Sequence, residues 1–195
     1  MEKTTSVNRI ESRGRLVSIK NLKNGKKILK LFSKNGRDVY PTFICDENIK
    51  LDFSAHARLF VEGYVRTYNS KSKDGYRENQ QFIATKVEED KTWTEMAFGE
   101  KGKFFHPMDT KIFIKGTLHS FIEEDEWIRL KIKVPGVNSD DAYHIRLNMR
   151  RLERMFELKE GMDISAVCSL TTPRKNLNDE VVYFENILAM DIAAG

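Results

Sequence analysis

The sequence predicts an all-β chain with one or two short helices, laid out as two successive units of five strands. Three observations carry this. Apolar and polar residues alternate with period two in several segments, most cleanly where Ile128, Leu130, Ile132 and Val134 interleave with Trp127, Arg129, Lys131 and Lys133. Asn24-Gly25, Asn35-Gly36 and Asp74-Gly75 are hairpin-turn signals. Finally, Gly14, Leu16, Ser18 and Ile19 return as Gly116, Leu118, Ser120 and Phe121, an offset of 102 positions that also separates Phe82 from Phe184.

Taken in order, the first strand covers 8–20, with Gly14 marking a bulge or bend. After the Asn24-Gly25 turn, 26–33 places Leu29 and Leu31 on a core face and Ile28, Lys30 and Phe32 on the other. A third strand at 38–45 contains Pro41, which argues for an edge or an irregularity. A short helical turn is expected at 49–53. Then Leu59, Val61, Gly63 and Val65 alternate with Phe60, Glu62, Tyr64 and Arg66, a polar loop follows at 69–79, and 80–87 is rich in strand formers.

From 90 to 109 the pattern breaks. Gly99, Gly102 and Pro107 argue for a connector, although Trp93, Phe98, Phe104 and Phe105 should pack between the units or against the first. The second unit repeats the order. A turn at 123–126 precedes the clean strand. Then 143–149 turns Tyr143, Ile145, Leu147 and Met149 to the core. A helix is expected over 149–159 from the spacing of Leu152, Met155 and Phe156, stopped by Gly161. Strands at 163–172 and 180–191 end the unit, joined by 173–176. The domain boundaries read as 1–92 and 110–195 with a connector at 93–109.

A chain of 195 residues and 22.7 kDa with 40% hydrophobic residues can build real cores. It has no apolar run long enough to span a membrane, and its N-terminus is polar, so the expectation is a cytoplasmic protein with no membrane partner. Cys45 and Cys168 sit in apolar runs and read as buried thiols. The histidines at 56, 106, 119 and 144 share no ligand spacing, so no metal is expected. Catalytic motifs are missing, which excludes the common hydrolase, kinase and metalloprotease classes and leaves a non-enzymatic binder without a cofactor.

Net charge is +4, unevenly spread: residues 1–95 carry 19 Lys and Arg against 13 Asp and Glu, and residues 96–195 carry 14 against 16. No acid occurs between Glu11 and Asp38, where Arg13, Arg15, Lys20, Lys23, Lys26, Lys27, Lys30, Lys34 and Arg37 all fall. Such a run serves either as a solvated face or as a polyanion-binding face.

The segment 57–88, with Val61-Glu62-Gly63 followed by Lys71, Lys73, Asp74-Gly75, Tyr76 and Arg77, resembles the last hairpin of the oligonucleotide-binding (OB) fold in bacterial and phage single-stranded-DNA-binding proteins. The resemblance implies two tandem OB-fold five-stranded barrels, each binding on the outer face of its second and third strands, framed by the loops 1–2 and 4–5. Carried onto this chain, it points to Arg15, Lys26, Lys30, Phe32, Tyr64, Arg66, Tyr68, Lys71, Lys73, Tyr76 and Arg77 in the first unit. In the second it points to Trp127, Arg129, Lys131, Arg146, Arg174 and Lys175. Cations would hold phosphates and aromatics would stack bases.

The implied partner is single-stranded DNA with little sequence preference. RNA on the same barrels, or a protein-binding adaptor, are the alternatives. The acidic turn at 123–126 leaves the second unit open between a weaker nucleic-acid surface, a protein partner and a homo-oligomer contact. Two units in one chain, and no acidic aromatic-tipped tail after Asp191, fit a phage or mobile-element protein or an accessory replication factor better than the housekeeping protein. Other replication or recombination partners stay unnamed. Periodicity further predicts that Trp127 is partly exposed on the outer face, and the charge asymmetry predicts that 1–95 holds the stronger surface.

Overall fold

The computed structural model describes residues 6–34, 36–72, 75–90, 96–98, 103–105, 109–137, 140–151, 156–177, 180–183 and 185–195, with backbone only at 72, 96–98, 103–105, 174–177 and 180–183. Strands β1 (Val7–Asn21), β2 (Lys27–Lys34), β3 (Asp38–Val39), β4 (Thr42–Cys45), β5 (Arg58–Ser72) and β6 (Gly75–Glu89) form the first half. A small hairpin, β7 (Met96–Phe98) with β8 (Lys103–Phe105), follows. The second half holds β9 (Thr110–Glu123), β10 (Trp127–Val134), β11 (Tyr143–Arg150), β12 (Asp163–Thr171), β13 (Arg174–Leu177), β14 (Glu180–Tyr183) and β15 (Asn186–Ala194).

Each half closes on itself. The circuit β1–β5–β6–β4–β2 returns to β1, and β9–β12–β15–β11–β10 returns to β9. In each circuit the third and fifth barrel strands pair in parallel, β4 with β6 and β11 with β15, while the other pairings are antiparallel. The chain therefore forms two tandem OB-fold five-stranded barrels. Their cores follow the alternation: Leu29 and Leu31 in β2, and Ile128, Leu130, Ile132 and Val134 in β10, are sealed from solvent, while the residues between them are not. Cys45 and Cys168 are free thiols in the cores, and burial pushes them up to about 11 and about 12.

The barrels share one seam. Residues 7–12 of β1 pair antiparallel with residues 110–115 of β9, so the two barrels belong to one continuous sheet. Beyond the seam, the same edge of β1 turns to β2 and the same edge of β9 turns to β10. Gly14 and Gly116 stand at these switch points. A Cβ on Gly14 would lie 2.5 Å from the Phe32 carbonyl oxygen, and one on Gly116 would lie 2.3 Å from that of Lys133. One bulge follows each glycine: the register skips between Leu16 and Ser18 in β1, and opposite Leu118 and Ser120 in β9. The 102-residue echo is thus a repeated corner.

The seam is stitched further. Arg13 N–H donates to the Asp109 carbonyl at 2.7 Å, the Ser12 and Thr110 hydroxyls meet at 2.8 Å in full burial, and the Ser33 hydroxyl donates to the Arg13 carbonyl at 2.8 Å.

Several expectations change. No helical turn forms at 49–53; a tight turn closes instead where Ile49 N–H donates to the Asp46 carbonyl. Met149 and Arg150 end β11 and Met149 is buried, so the element expected over 149–159 does not begin there; residues 152–155 lie outside the described residues, and 156–159 are not helical. The polar stretches 69–72 and 75–79 are ladder rather than loop, with Asn69 opposite Glu78 and Lys71 opposite Tyr76. Backbone pairing needs no apolar residues, so composition hid these rungs. The connector contains the β7–β8 hairpin; Trp93 lies outside the described residues, as does Phe184. Among the described residues no helix is long and apolar enough to cross a membrane.

Gly14→Ala and Gly116→Ala should each lower stability by roughly 1–3 kcal/mol, because the new methyl meets backbone rather than a movable side chain. Urea midpoints at constant slope measure this.

Candidate nucleic-acid interface

The hairpins that follow the fourth strand of each barrel reach across to the other barrel. From the first, Thr67 Oγ1 accepts the His144 N–H at 3.1 Å. Gln80 bridges Arg146, accepting its N–H at 3.1 Å and donating to its carbonyl at 3.4 Å. Glu78 pairs with Lys131 at 2.7 Å, and Tyr64 stacks on Tyr143 with centroids 6.1 Å apart and planes within 5°. From the second, Thr172 Oγ1 accepts the Tyr40 N–H at 3.4 Å and Glu185 Oε1 accepts the Thr42 N–H at 2.8 Å. Thr42 and His144, which offer these amides, are 102 positions apart.

This reciprocal embrace encloses a cleft of about 1280 Å³. The second and third strands of both barrels open onto it. Lys30 of β2 and Thr42 and Ile44 of β4 face Arg129 and Lys131 of β10 and Arg146 and Asn148 of β11; Arg77 of β6 and Phe121 of β9 complete the walls. Five cations therefore border the space, against Glu185 as the carboxylate among the described lining residues. Tyr40 presents an aromatic surface with Lys30 Nζ 5.3 Å above its ring. Phe32 lies 5.6 Å from Tyr40, with the Arg15 guanidinium 5.5 Å above Phe32. Such alternation of cation and ring suits a phosphate backbone with unstacked bases.

Of the residues picked from sequence, Lys30, Arg77, Arg129, Lys131 and Arg146 meet at the cleft. Arg66, Tyr68, Lys71 and Tyr76 lie along the β5–β6 finger; Tyr76 is 79% and Tyr68 40% exposed. Lys26 sits apart, paired with Asp46 at 2.6 Å. Tyr64 is committed to Tyr143 between the barrels, and that burial raises its phenol above the ordinary value. Trp127 is half-buried beside the Arg150 guanidinium, 5.9 Å from its ring, and does not line the cleft. Lys73 lies outside the described residues, and Arg174 and Lys175 are placed in β13 by backbone alone. The acidic turn is partly neutralised, since Glu124 pairs with Arg129 and Glu123 with Arg151.

Sequence reasoning missed Tyr40, Phe121, Asn148 and Glu185. Pro41 obscured the register of Tyr40. Phe121 carries the final position of the repeated corner, a signal that was visible. Glu185 had no local signal, because its setting comes from the opposite barrel. Burial pushes its carboxyl up to about 7, against the Thr42 hydrogen bond and the Lys30 charge, which pull it down.

No protein-family model and no curated protein sequence matches the chain. Among solved structures, the wild-type single-stranded DNA binding protein from Thermus aquaticus is similar, with a TM-score of 0.62 at 14% identity over 97% of this chain and 93% of that one. A deletion mutant of that protein gives a TM-score of 0.63 at 14% identity, covering 97% and 95%. At this identity the likeness is one of fold, over nearly the whole chain.

Glu185 is protonated in the folded chain up to about pH 7 and in the unfolded chain only to about 4.5. Its stability cost is therefore absent below the lower value, grows through the window and is complete above the higher one. Glu185→Gln keeps the acceptor for Thr42 without the charge. Its advantage in melting temperature over the parent should widen from about pH 5 to about pH 8, by roughly 2–4 °C for each kcal/mol relieved. Calorimetric scans across that range measure it.

Proposed function

We propose that the chain binds single-stranded DNA with low sequence specificity, the strand entering the inter-barrel cleft and continuing along the β5–β6 finger. One observation carries this reading: the outer faces of the second and third strands of both barrels open onto a single cleft bordered by Lys30, Arg77, Arg129, Lys131 and Arg146. Cations at that density neutralise phosphates and release counterions, which favours any polyanion. Tyr40 and Phe121 within, and Tyr68 and Tyr76 on the finger, offer stacking surfaces worth about 1–3 kcal/mol per base without reading its edge. The similar Thermus aquaticus structures are of a protein named for single-stranded DNA binding, which supports the same reading here.

The activity belongs, on this proposal, to replication, recombination or mobile-element transfer in the cytoplasm, with domains at 1–92 and 110–195 joined by 93–109. No catalytic step is assigned to the chain.

Titration of labelled single-stranded DNA, duplex DNA and RNA at two salt concentrations tests it. Single-stranded DNA should bind most tightly and weaken with salt. Replacing Lys71 and Arg77 together by Ala should flatten the salt slope by roughly one unit for each phosphate no longer neutralised. Equal affinity for duplex, or binding indifferent to salt, would overturn the reading, and preference for RNA would reassign the ligand.

A further inference from the structure

Glu185 is out of place in an anion-binding cleft. It stands just before β15, yet its Oε1 accepts the Thr42 N–H of the other barrel at 2.8 Å. The charged groups that border the same space are Lys30 from β2, Arg77 from β6, Arg129 and Lys131 from β10 and Arg146 from β11; β4 contributes only the uncharged Thr42 and Ile44. Of these cations Lys131 is paired with Glu78 and Arg129 with Glu124. An ionised carboxylate in this wall opposes every phosphate that enters, and the burial of Glu185 sharpens the conflict.

We propose that the cleft takes up a phosphodiester strand together with one proton, and that Glu185 is the residue that holds the proton. This rests on the single-strand reading above and adds its regulation. A neutral Glu185 can accept from Thr42 through one oxygen and donate its O–H to a phosphate oxygen through the other, so the residue changes from a repulsive group to a donor. The coupling is reciprocal: bound phosphate raises the affinity for the proton, and the proton raises the affinity for phosphate.

Burial places the carboxyl at about 7 in the empty cleft, so the proton is available near neutrality. Two histidines, His119 and His144, have their rings 4.6 Å apart and do not line the cleft. Burial, then His119 and Lys131, hold His144 below the ordinary imidazole value. A histidine contribution would survive replacement of Glu185, which separates the two.

The experiment is fluorescence anisotropy of a labelled oligothymidylate with the full chain and with Glu185→Gln, at fixed salt from pH 6 to pH 8. The parent Kd should rise about tenfold across that range, the factor expected when an acid titrating near the middle must be protonated on binding. Glu185→Gln should be flat and bind at the upper pH as tightly as the parent at the lower. Carbon NMR of the Glu185 carboxyl in the parent chain supplies a readout independent of the variant: its titration midpoint should move up when oligothymidylate is bound. A flat parent profile, a slope that persists in Glu185→Gln, or a midpoint unmoved by ligand each overturns the coupling alone. Absence of binding at every pH overturns the assignment of the cleft itself, and the coupling with it.

Discussion

The β1–β9 ladder is the constraint on which the rest of the molecule depends. A barrel strand normally spends both edges within its own barrel, whereas half of one edge of β1 and of β9 is spent on the other barrel. The exchange demands a sharp change of partner midway along each strand. Gly14 and Gly116 permit it because a backbone carbonyl occupies the space a Cβ would fill. It also satisfies an otherwise exposed row of amides and carbonyls, the feature that makes unpaired edges prone to association. The buried Ser12–Thr110 hydroxyl pair then needs both strands in register to be satisfied.

From this seam follows the relation between the barrels. Paired antiparallel, the two first strands are exchanged by a pseudo-twofold rotation, so each hairpin reaches across to the opposite barrel. Thr42 and His144, at equivalent positions in their third strands, both give their backbone N–H to a side chain of the other barrel. The side chains that receive them differ: a neutral hydroxyl on one side, a carboxylate on the other. Duplication supplied the frame, and the electrostatic asymmetry lies in what was placed on it.

Charge is distributed accordingly. The acid-free stretch 12–37 contributes Lys30 directly to the cleft, while the more acidic second half supplies Arg129, Lys131 and Arg146 to the same wall. In that second half, Glu124 and Glu123 are drawn toward Arg129 and Arg151 by local ion pairs. Exposed pairs of this kind contribute little to stability.

Most strands, the core faces and the duplicated glycine corner were legible in the sequence, because alternation and turn chemistry act between neighbours along the chain. Leu29, Leu31, Ile128 and Leu130 declared their burial through spacing alone. The length of the β5–β6 finger was not legible, since its polar rungs are held by backbone pairing that any residue can supply. Nor were the fates of Tyr64 and Glu185, which sequence places on outer faces or assigns nothing. Their environment is made by residues 79 and 143 positions away, Tyr143 and Thr42. By itself the sequence determined that two β-barrels form and which side of each strand is core. Only the tertiary structure decided that the barrels fuse along β1 and β9 and turn their cationic faces onto one cleft, because the packing of one folded surface on another depends on groups that no local pattern connects.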